Sequence, residues 1–441
     1  MSAPAHSRRT LPRRAFLSAA AAATGGLAVA CADQSVGVPA LSEQLSARLR
    51  HPASCGIEHV VLVMMENRSF DHFVGWLPQA DGRQAGLTYF DAAGTGHATY
   101  PLAPDYQGCG HQDPDHSYQG ARVEYNNGAC DGWLRANDVF SIGYYRQDDL
   151  AFLGRAVPQW ASFDRYFCSL LGPTFSNRVY QHAGQTDRLS DTPEPSTLPT
   201  IWDRLAARGL AGRYYFGDLS FLSLWGPKYL PISRTHDAFF ADCAAGTLPQ
   251  VAFIDPAFLG EATGTGADDH PFSDVRAGEA FLNRIYAAVT HSPAWARTVL
   301  FINFDEWGGF FDHVPPTAGP LPDADRAAGS DGLRGFRTPA LLVSPFARRG
   351  RTSHTLYEHA SLLRLIEWRW GLDPLSVRDQ TANNPALELD FTRPRLDAPA
   401  FDVPAVIGAP CPANPGLVAA RTSRAHWEAL YQVARRRGWT M

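Results

Sequence analysis

The stretch IEHVVLVMMENRSFDHFVGWLP, residues 57–78, contains an apolar run that ends abruptly in polar side chains. The run, Val60–Met65, is short and partly β-branched, as is typical of a buried strand. Glu66 and Asn67 follow it directly. Because carboxylate and amide oxygens bind hard cations, the end of this strand is a candidate for part of a metal site.

Three further apolar segments have the length and the β-branched content of buried strands. They are Val251–Ile254, Val299–Phe304 and Ala340–Val343. Segments with helical periodicity lie between them: Ser273 is a candidate N-cap for the helix that follows it, and another helix ends at Gly371. Strands that alternate with helices predict an α/β fold, with an open, mostly parallel sheet and helices on both faces.

Two more of the predicted strands end in carboxylates. Asp255 follows one, and Asp305 and Glu306 follow another. In open α/β sheets, ligands bind outside the carboxyl ends of the strands. A shared divalent cation would offset the cost of burying several carboxylates at that edge. The alternative is that these side chains are solvated or cap helices, but the repetition at separate strand ends favours the metal site.

A candidate nucleophile lies in FDRYFCSLLGPTFSNRVYQHAGQT, residues 163–186. Gly172 and Pro173 interrupt the chain, and Thr174 stands where a helix can begin. Free N–H groups and the helix dipole favour an anion such as a phosphoryl group at that position, and metal coordination would activate the hydroxyl. The local sequence alone favours the simpler interpretation that Thr174 only caps the helix. The chain has no G-x-S-x-G motif that would offer a competing nucleophile.

Histidines beside aspartates, or just before predicted helices, are candidates for protonating a leaving oxygen or binding a phosphoryl oxygen. From local sequence they are His111, His116, His270, His354 and His359. Each of them could equally be a structural histidine, and the residues alone leave that choice open.

The charge and the composition exclude some classes of protein. Hydrophobic residues make up 45% of the chain, which is a globular composition. The formal net charge is −5 at pH 7, so the chain lacks the basic surface of a nucleic-acid-binding protein.

The seven cysteines suggest disulfides. With Cys31 set apart as a candidate lipid anchor, the remaining six could form up to three bridges outside the cytoplasm. Cys109 and Cys130 are the predicted pair, because the segment between them is short and turn-rich. The chain has no C-x-x-C pair, which argues against a zinc ribbon.

The N-terminal residues 1–31 have the features of an export signal. Arg13-Arg14, followed by Phe16-Leu17, resembles a twin-arginine signal. An ordinary secretory signal with incidental arginines is the alternative.

Five motifs occur along the chain in the order seen in one family. They are MMENRSFDHFVGWLP, DPDHSYQG, GPTFSNRVY, FDEWGGFFDHVPP and YEHASLLRLIE. The chain resembles the bacterial phosphoesterase family of twin-arginine-exported phospholipases C and acid phosphatases. The motifs extend over residues 57–371, and the resemblance implies an alkaline-phosphatase-like α/β core in a phosphoric ester hydrolase.

The resemblance also implies roles for particular residues. A divalent metal ion, whose identity the residues leave open, would be held by Glu66, Asn67, Asp305 and Glu306. The residues implied in catalysis are Thr174 as nucleophile and His116, His270 and His359 at the phosphate site. His111 is a rival of His116, and Ser176 stands where the family often has proline, which leaves a second hydroxyl near Thr174. The implied mechanism is a double displacement through a phospho-threonine.

The resemblance leaves the substrate open. The leading hypothesis is a phospholipase C that releases diacylglycerol from a glycerophospholipid. The alternative is a broad-specificity acid phosphatase, and a third reading is a non-catalytic lipoprotein that binds lipid or phosphate. The expected partners are a phospholipid or small phosphoester and a membrane surface, without nucleic acid. Aromatic candidates for contact with a choline head group or lipid, unless they are simply core, are Trp76, Tyr118, Trp133, Phe175, Trp307, Phe310 and Phe311.

The predicted organisation has three parts. Residues 1–31 are the export signal, residues 32–56 a tether, and residues 57–441 one phosphoesterase catalytic domain. Cys31 stands at a candidate lipoprotein site, with ordinary cleavage near Ala30 as the rival. The expected location is the periplasm, the cell envelope or the medium.

Overall fold

The apolar run of the opening motif forms the central strand of the sheet in the computed structural model, which describes residues 49–412 and 423–439. These residues belong to one compact unit that begins at Leu49. The strands are β1 (His59–Met65), β2 (Thr88–Phe90), β3 (Gly96–Ala98), β4 (Tyr100–Pro101), β5 (Gly143–Tyr144), β6 (Ala161–Phe163), β7 (Tyr166–Phe167), β8 (Gly212–Phe216), β9 (Ser233–Thr235), β10 (Val251–Ile254), β11 (Thr298–Phe304), β12 (Ala340–Val343), β13 (Arg351–Ser353) and β14 (Tyr357–Glu358).

Helices connect and flank these strands. They are α1 (Phe70–Val74), α2 (Gly120–Tyr125), α3 (Trp133–Ala136), α4 (Leu153–Ala156), α5 (Thr174–Ala183), α6 (Ile201–Ala207), α7 (His236–Ala245), α8 (Val275–Thr290), α9 (Asp323–Ala328), α10 (His359–Trp370), α11 (Val377–Thr381) and α12 (Ser423–Arg436).

The main sheet has eight strands in the order β13-β6-β12-β11-β1-β10-β8-β9. β1 lies between β10 and β11 and is parallel to both. β12 runs antiparallel to its neighbours β11 and β6, and the other pairs are parallel. The predicted open, mostly parallel sheet is therefore confirmed, and the four predicted strands agree with the observed ones to within one residue.

Packing against helices explains why the central strands are apolar throughout. Every residue of β11 is buried, as is β1 except for its first residue, His59. α8 packs against β11, and α10 packs against α5. Removal of this apolar surface from water is the main force that holds the layers together.

The predicted helix ends are partly corrected. α10 ends as expected, since Gly371 takes the left-handed conformation at φ +62° after Trp370. The N-cap of α8 is Asp274 and not Ser273, because the Asp274 carboxylate accepts a hydrogen bond from the backbone N–H of Arg276.

The predicted export signal and residues 32–48 of the predicted tether lie outside the described residues. The rest of that tether contains a short 3-10 helix, Pro52–Ser54, and the buried side chain of Cys55. No helix within residues 49–412 and 423–439 is long and apolar enough to cross a membrane.

The predicted Cys109–Cys130 disulfide is wrong. Cys109 pairs with Cys411, which is 302 residues away along the chain. Gln107 shows why, because its side-chain amide donates to the carbonyl oxygens of both Gly264 and Ala409, so the later segment lies beside the Cys109 loop. Cys130 is instead buried as a free thiol in a hydrophobic cluster.

Replacement of both Cys109 and Cys411 by serine is expected to lower the free energy of unfolding by about 2–4 kcal/mol, because a bridge over so long a loop restricts the unfolded chain. Urea unfolding followed by tryptophan fluorescence measures the change. Reductant should lower the urea midpoint of the wild-type protein and leave the midpoint of the double variant unchanged. An unchanged wild-type midpoint under reductant would contradict the bridge.

Candidate active site

The polar ends of β1 and β11 meet at one edge of the sheet. Met65 and Phe304 are register partners, so the residues that follow them are adjacent. The backbone N–H of Asn67 donates to Asp305 Oδ1 at 3.0 Å. Glu66, Asn67, Asp305 and Glu306 are all fully buried. The strand order thus brings together the four side chains that the sequence placed at two strand ends.

Thr174 is the first residue of α5 and faces these side chains. Its Oγ1 lies 3.4 Å from Glu66 Oε2 and 3.5 Å from Asn67 Oδ1. Pro173 occupies the N-cap position, so the alternative in which Thr174 merely caps the helix does not hold. The second hydroxyl, Ser176 Oγ, donates instead to the carbonyl oxygen of Arg188 at 3.0 Å.

Arg178 joins the same group of side chains, and the sequence analysis assigned it no role. Its guanidinium contacts Glu66 Oε1 at 2.8 Å, Asp255 Oδ1 at 3.0 Å and Asp305 Oδ2 at 3.5 Å. Burial lowers the pKa of Arg178, but the three carboxylates outweigh burial and raise it. Arg178 lies one turn after Thr174 on the same face of α5, and that spacing was the available signal.

The carboxylates at this edge hold more negative charge than Arg178 balances. Burial raises the pKa of Glu306 well above its ordinary value, and the charge of Asp305 raises it further against the opposing effect of His116. Burial likewise raises the pKa of Glu66, although Arg178 opposes the shift. An additional cation beside these groups would favour their ionised forms.

Two buried oxygens make this edge compatible with a divalent cation. Glu306 Oε1 has no hydrogen-bond partner among the described residues, and Asp305 Oδ2 has no hydrogen bond but an ion-pair contact with Arg178 at 3.5 Å. Carboxylate oxygens without hydrogen bonds suit a hard cation. Glu66, Asp305 and Glu306 are not among the described groups whose ligand atoms lie within 4.8 Å of one another. Arg178 contacts both Glu66 and Asp305. The described groups that meet this spacing are Asp113–His116–His270 and Asp71–Asp312–His313.

His116 lies beside Asn67, and His270 lies beside His116. His116 Nε2 is 3.4 Å from Asn67 Nδ2, and the two histidine rings are 5.9 Å apart, edge to face. Burial lowers the pKa of His116, but Glu306 and Asp113 outweigh it and raise the pKa to about 10. Burial lowers the pKa of His270 well below its ordinary value.

The other candidate histidines lie elsewhere. His111 pairs with Asp138 at 3.2 Å, and His354 is mostly exposed. His359 is fully buried behind the site, and its Nε2 donates to the carbonyl oxygen of Phe304 at 3.1 Å. In the described part of the chain, no hydrogen bond joins His359 to Thr174, and His359 Nδ1 has no hydrogen-bond partner.

A pocket of about 440 Å³ opens beside Pro173, the residue before Thr174. Its lining includes Asp113, His116, Pro173, Asp191 and His426. Asp191 Oδ1 accepts the backbone N–H of Phe175 at 2.7 Å. The sequence analysis missed Asp191 and His426, because neither belongs to a motif with recognisable spacing.

Most of the aromatic candidates for lipid or head-group contact are core residues. Trp133, Phe175, Trp307, Phe310 and Phe311 are fully buried. These five side chains therefore pack in the core, which was the alternative interpretation.

Comparison with known proteins places the chain among phosphoesterases. Residues 57–373 match the phosphoesterase family. The chain is 30% identical over 472 aligned residues to phospholipase C B of Mycobacterium tuberculosis, which covers 88% of each chain. It is 28% identical over 383 aligned residues to non-specific phospholipase C1 of Arabidopsis thaliana, covering 75% of this chain and 70% of that one. Among solved structures, a protein in the alkaline phosphatase superfamily from Vibrio parahaemolyticus is similar, with a TM-score of 0.36 and 11% identity over 87% of this chain and 89% of that one.

Proposed function

Since the chain belongs to the phosphoesterase family and is a phosphoric ester hydrolase, we propose that it is a metal-dependent phospholipase C that acts through a phospho-threonine intermediate. The observation that carries the proposal is the position of Thr174. Its buried hydroxyl lies at the first turn of α5, within 3.5 Å of two strand-end residues of β1.

The surroundings of Thr174 suit a nucleophile. Its hydroxyl donates toward Glu66 Oε2, one of the proposed metal ligands, and a metal held there would activate the hydroxyl. The N-terminus of α5 directs the positive end of its dipole toward the phosphoryl group that Thr174 would attack. Attack on phosphorus expels the alcohol and leaves the phosphoryl group on Thr174, and water then hydrolyses that ester.

The strand-end residues would hold the metal. Glu66, Asn67, Asp305 and Glu306 are the proposed ligands, and the carboxylate oxygens of Asp305 and Glu306 that make no hydrogen bond support that assignment. A bound divalent cation would supply electrostatic stabilisation of the phosphoryl oxygens. His116 and His270 would add hydrogen bonds to those oxygens. His359 is proposed to position Asp305 through its contact with Phe304.

The proposed substrate is a glycerophospholipid, cleaved to diacylglycerol and a phosphorylated head group. The curated relatives named as phospholipases C support this choice. Export to the cell envelope, where the enzyme reaches a membrane surface, is part of the same proposal.

A comparison of two substrates tests the proposed function. Diacylglycerol release from phosphatidylcholine vesicles is expected to exceed phosphate release from p-nitrophenyl phosphate by at least about tenfold in kcat/KM, a difference of about 1.4 kcal/mol in transition-state binding. The Thr174→Ala variant is the control for contaminating activity in both assays. Rapid cleavage of the monoester with negligible diacylglycerol release would replace the phospholipase with the acid phosphatase.

A further inference from the structure

We propose that His426, on the C-terminal helix α12, protonates the leaving oxygen when Thr174 attacks phosphorus. The inference rests on the proposed function, because it assigns the proton donor of that reaction. His426 lies outside residues 57–373, the part of the chain that matches the family.

The position of His426 follows from the packing of α12. The next residue, Trp427, is 2% exposed and stacks on Phe258, with ring centroids 4.1 Å apart and planes 5° from parallel. Leu430 and Ala434 are fully buried on the same helix. This anchoring places the His426 ring 5.2 Å from the ring of Phe175, the residue after Thr174, and in the wall of the pocket.

The ring nitrogens distinguish His426 from the other histidines beside the pocket. Nδ1 of His116 bonds the carbonyl oxygen of Pro114 at 2.8 Å, and its Nε2 faces Asn67. Nδ1 of His270 bonds the carbonyl oxygen of Pro271 at 2.9 Å, and its Nε2 lies 3.2 Å from Glu261. Nε2 of His270 makes no hydrogen bond to the described residues, so the contrast with His426 lies at Nδ1, which bonds a carbonyl oxygen in both His116 and His270.

His426 makes no hydrogen bond from either ring nitrogen to the described residues. Its Nδ1 is 3.8 Å from Asp191 Oδ2, which is an ion-pair distance, and its side chain is 12% exposed. Burial lowers the pKa of His426 below its ordinary value, the Asp191 carboxylate opposes that shift, and the nearby charge of His116 adds to it. Asp191 also binds the first turn of α5 through Phe175, so one carboxylate orients both the proton donor and the helix of the nucleophile.

The proton transfers balance over the two steps. In the first, a bond forms between Thr174 Oγ and phosphorus, and the bond between phosphorus and the leaving oxygen breaks. The leaving oxygen keeps the electron pair, takes a proton from the His426 imidazolium and departs as an alcohol, while the hydroxyl proton of Thr174 passes to solvent water. In the second, neutral His426 takes a proton from the attacking water, and Thr174 Oγ takes a proton from solvent as the phosphoryl group leaves.

The dependence of rate on the leaving group tests this role. The full-length enzyme and its His426→Gln and His426→Ala variants are assayed with phosphatidylcholine, whose alkoxide leaving group needs a proton, and with p-nitrophenyl phosphorylcholine, whose phenolate does not. Loss of the general acid should lower kcat on phosphatidylcholine by about 100-fold or more and on the aryl ester by less than about threefold. Glu428→Gln, at an exposed position of the same helix, should keep both rates.

An equal loss on both substrates, or no loss on either, would overturn the assignment to His426. Thermal unfolding of each variant shows whether it is folded, and two substitutions guard against one of them destabilising α12. If the wild-type enzyme releases no diacylglycerol, the phospholipase proposal fails, and the same comparison between an alkyl and an aryl phosphate monoester decides the role of His426.

Discussion

Replacement of Thr174 by alanine is expected to lower kcat by about 10⁴-fold or more for every phosphoester that the enzyme cleaves, since the substitution removes the atom that forms the covalent intermediate. The variant should fold normally, because the lost hydroxyl makes only long contacts, at 3.4 Å to Glu66 and 3.5 Å to Asn67. Steady-state hydrolysis, with the unfolding temperature measured beside it, gives both results.

Ser176→Ala is the matched control. Ser176 lies on the same first turn of α5, but its hydroxyl bonds the carbonyl oxygen of Arg188, so its removal should cost stability and not chemistry. Acid quenching during turnover should trap phosphate on the peptide that carries both hydroxyls, and fragmentation by mass spectrometry should place it on Thr174. A label on Ser176 would show that Ser176, and not Thr174, is the nucleophile.

Replacement of Asp305 by asparagine is expected to lower kcat/KM by about 100- to 1000-fold, together with a loss of bound metal. The substitution keeps the size of the side chain and removes the charge of a fully buried carboxylate, whose Oδ2 makes no hydrogen bond to the described residues. Elemental analysis of the purified protein measures the metal. Chelation of the wild-type enzyme should cause a similar loss of activity, and return of the metal should restore it.

Asp255→Asn is the control for the loss of one buried negative charge beside Arg178. Asp255 also pairs with Arg178 but is not among the proposed ligands. Its substitution should leave the metal content unchanged. Full activity of wild-type protein shown to be metal-free would refute the metal site.

The sequence predicted the fold and the meeting of the carboxyl ends of β1 and β11. An apolar run with β-branched residues has few ways to be buried other than as a strand, which is why β1, β10, β11 and β12 were predicted closely. Parallel strands place their carboxyl ends at one edge, so Glu66 and Asp305 were expected to meet.

Features that depend on long-range packing were not predictable in the same way. Arg178 pairs with carboxylates from three different strand ends, and its place one turn after Thr174 is the only local feature that marks it among the helical arginines. The disulfide partner of Cys109 was missed because closeness in sequence was taken as closeness in space. His426 reaches the pocket only through the packing of Trp427, which no periodicity reveals.

Because β1 lies at the centre of the sheet, the order of synthesis decides when β1 can pair with its neighbouring strands. Both hydrogen-bonding partners of β1 come much later in the chain, since β10 begins at Val251 and β11 at Thr298. At about 5–20 residues per second, a ribosome needs roughly 10–50 s to make the chain between the end of β1 and the start of β11. Until β10 is made, both edges of β1 lack a partner strand, and the edge that pairs with β11 lacks one for the whole interval. A holdase chaperone that binds extended hydrophobic segments would therefore have a target at Val60–Met65 of the nascent chain.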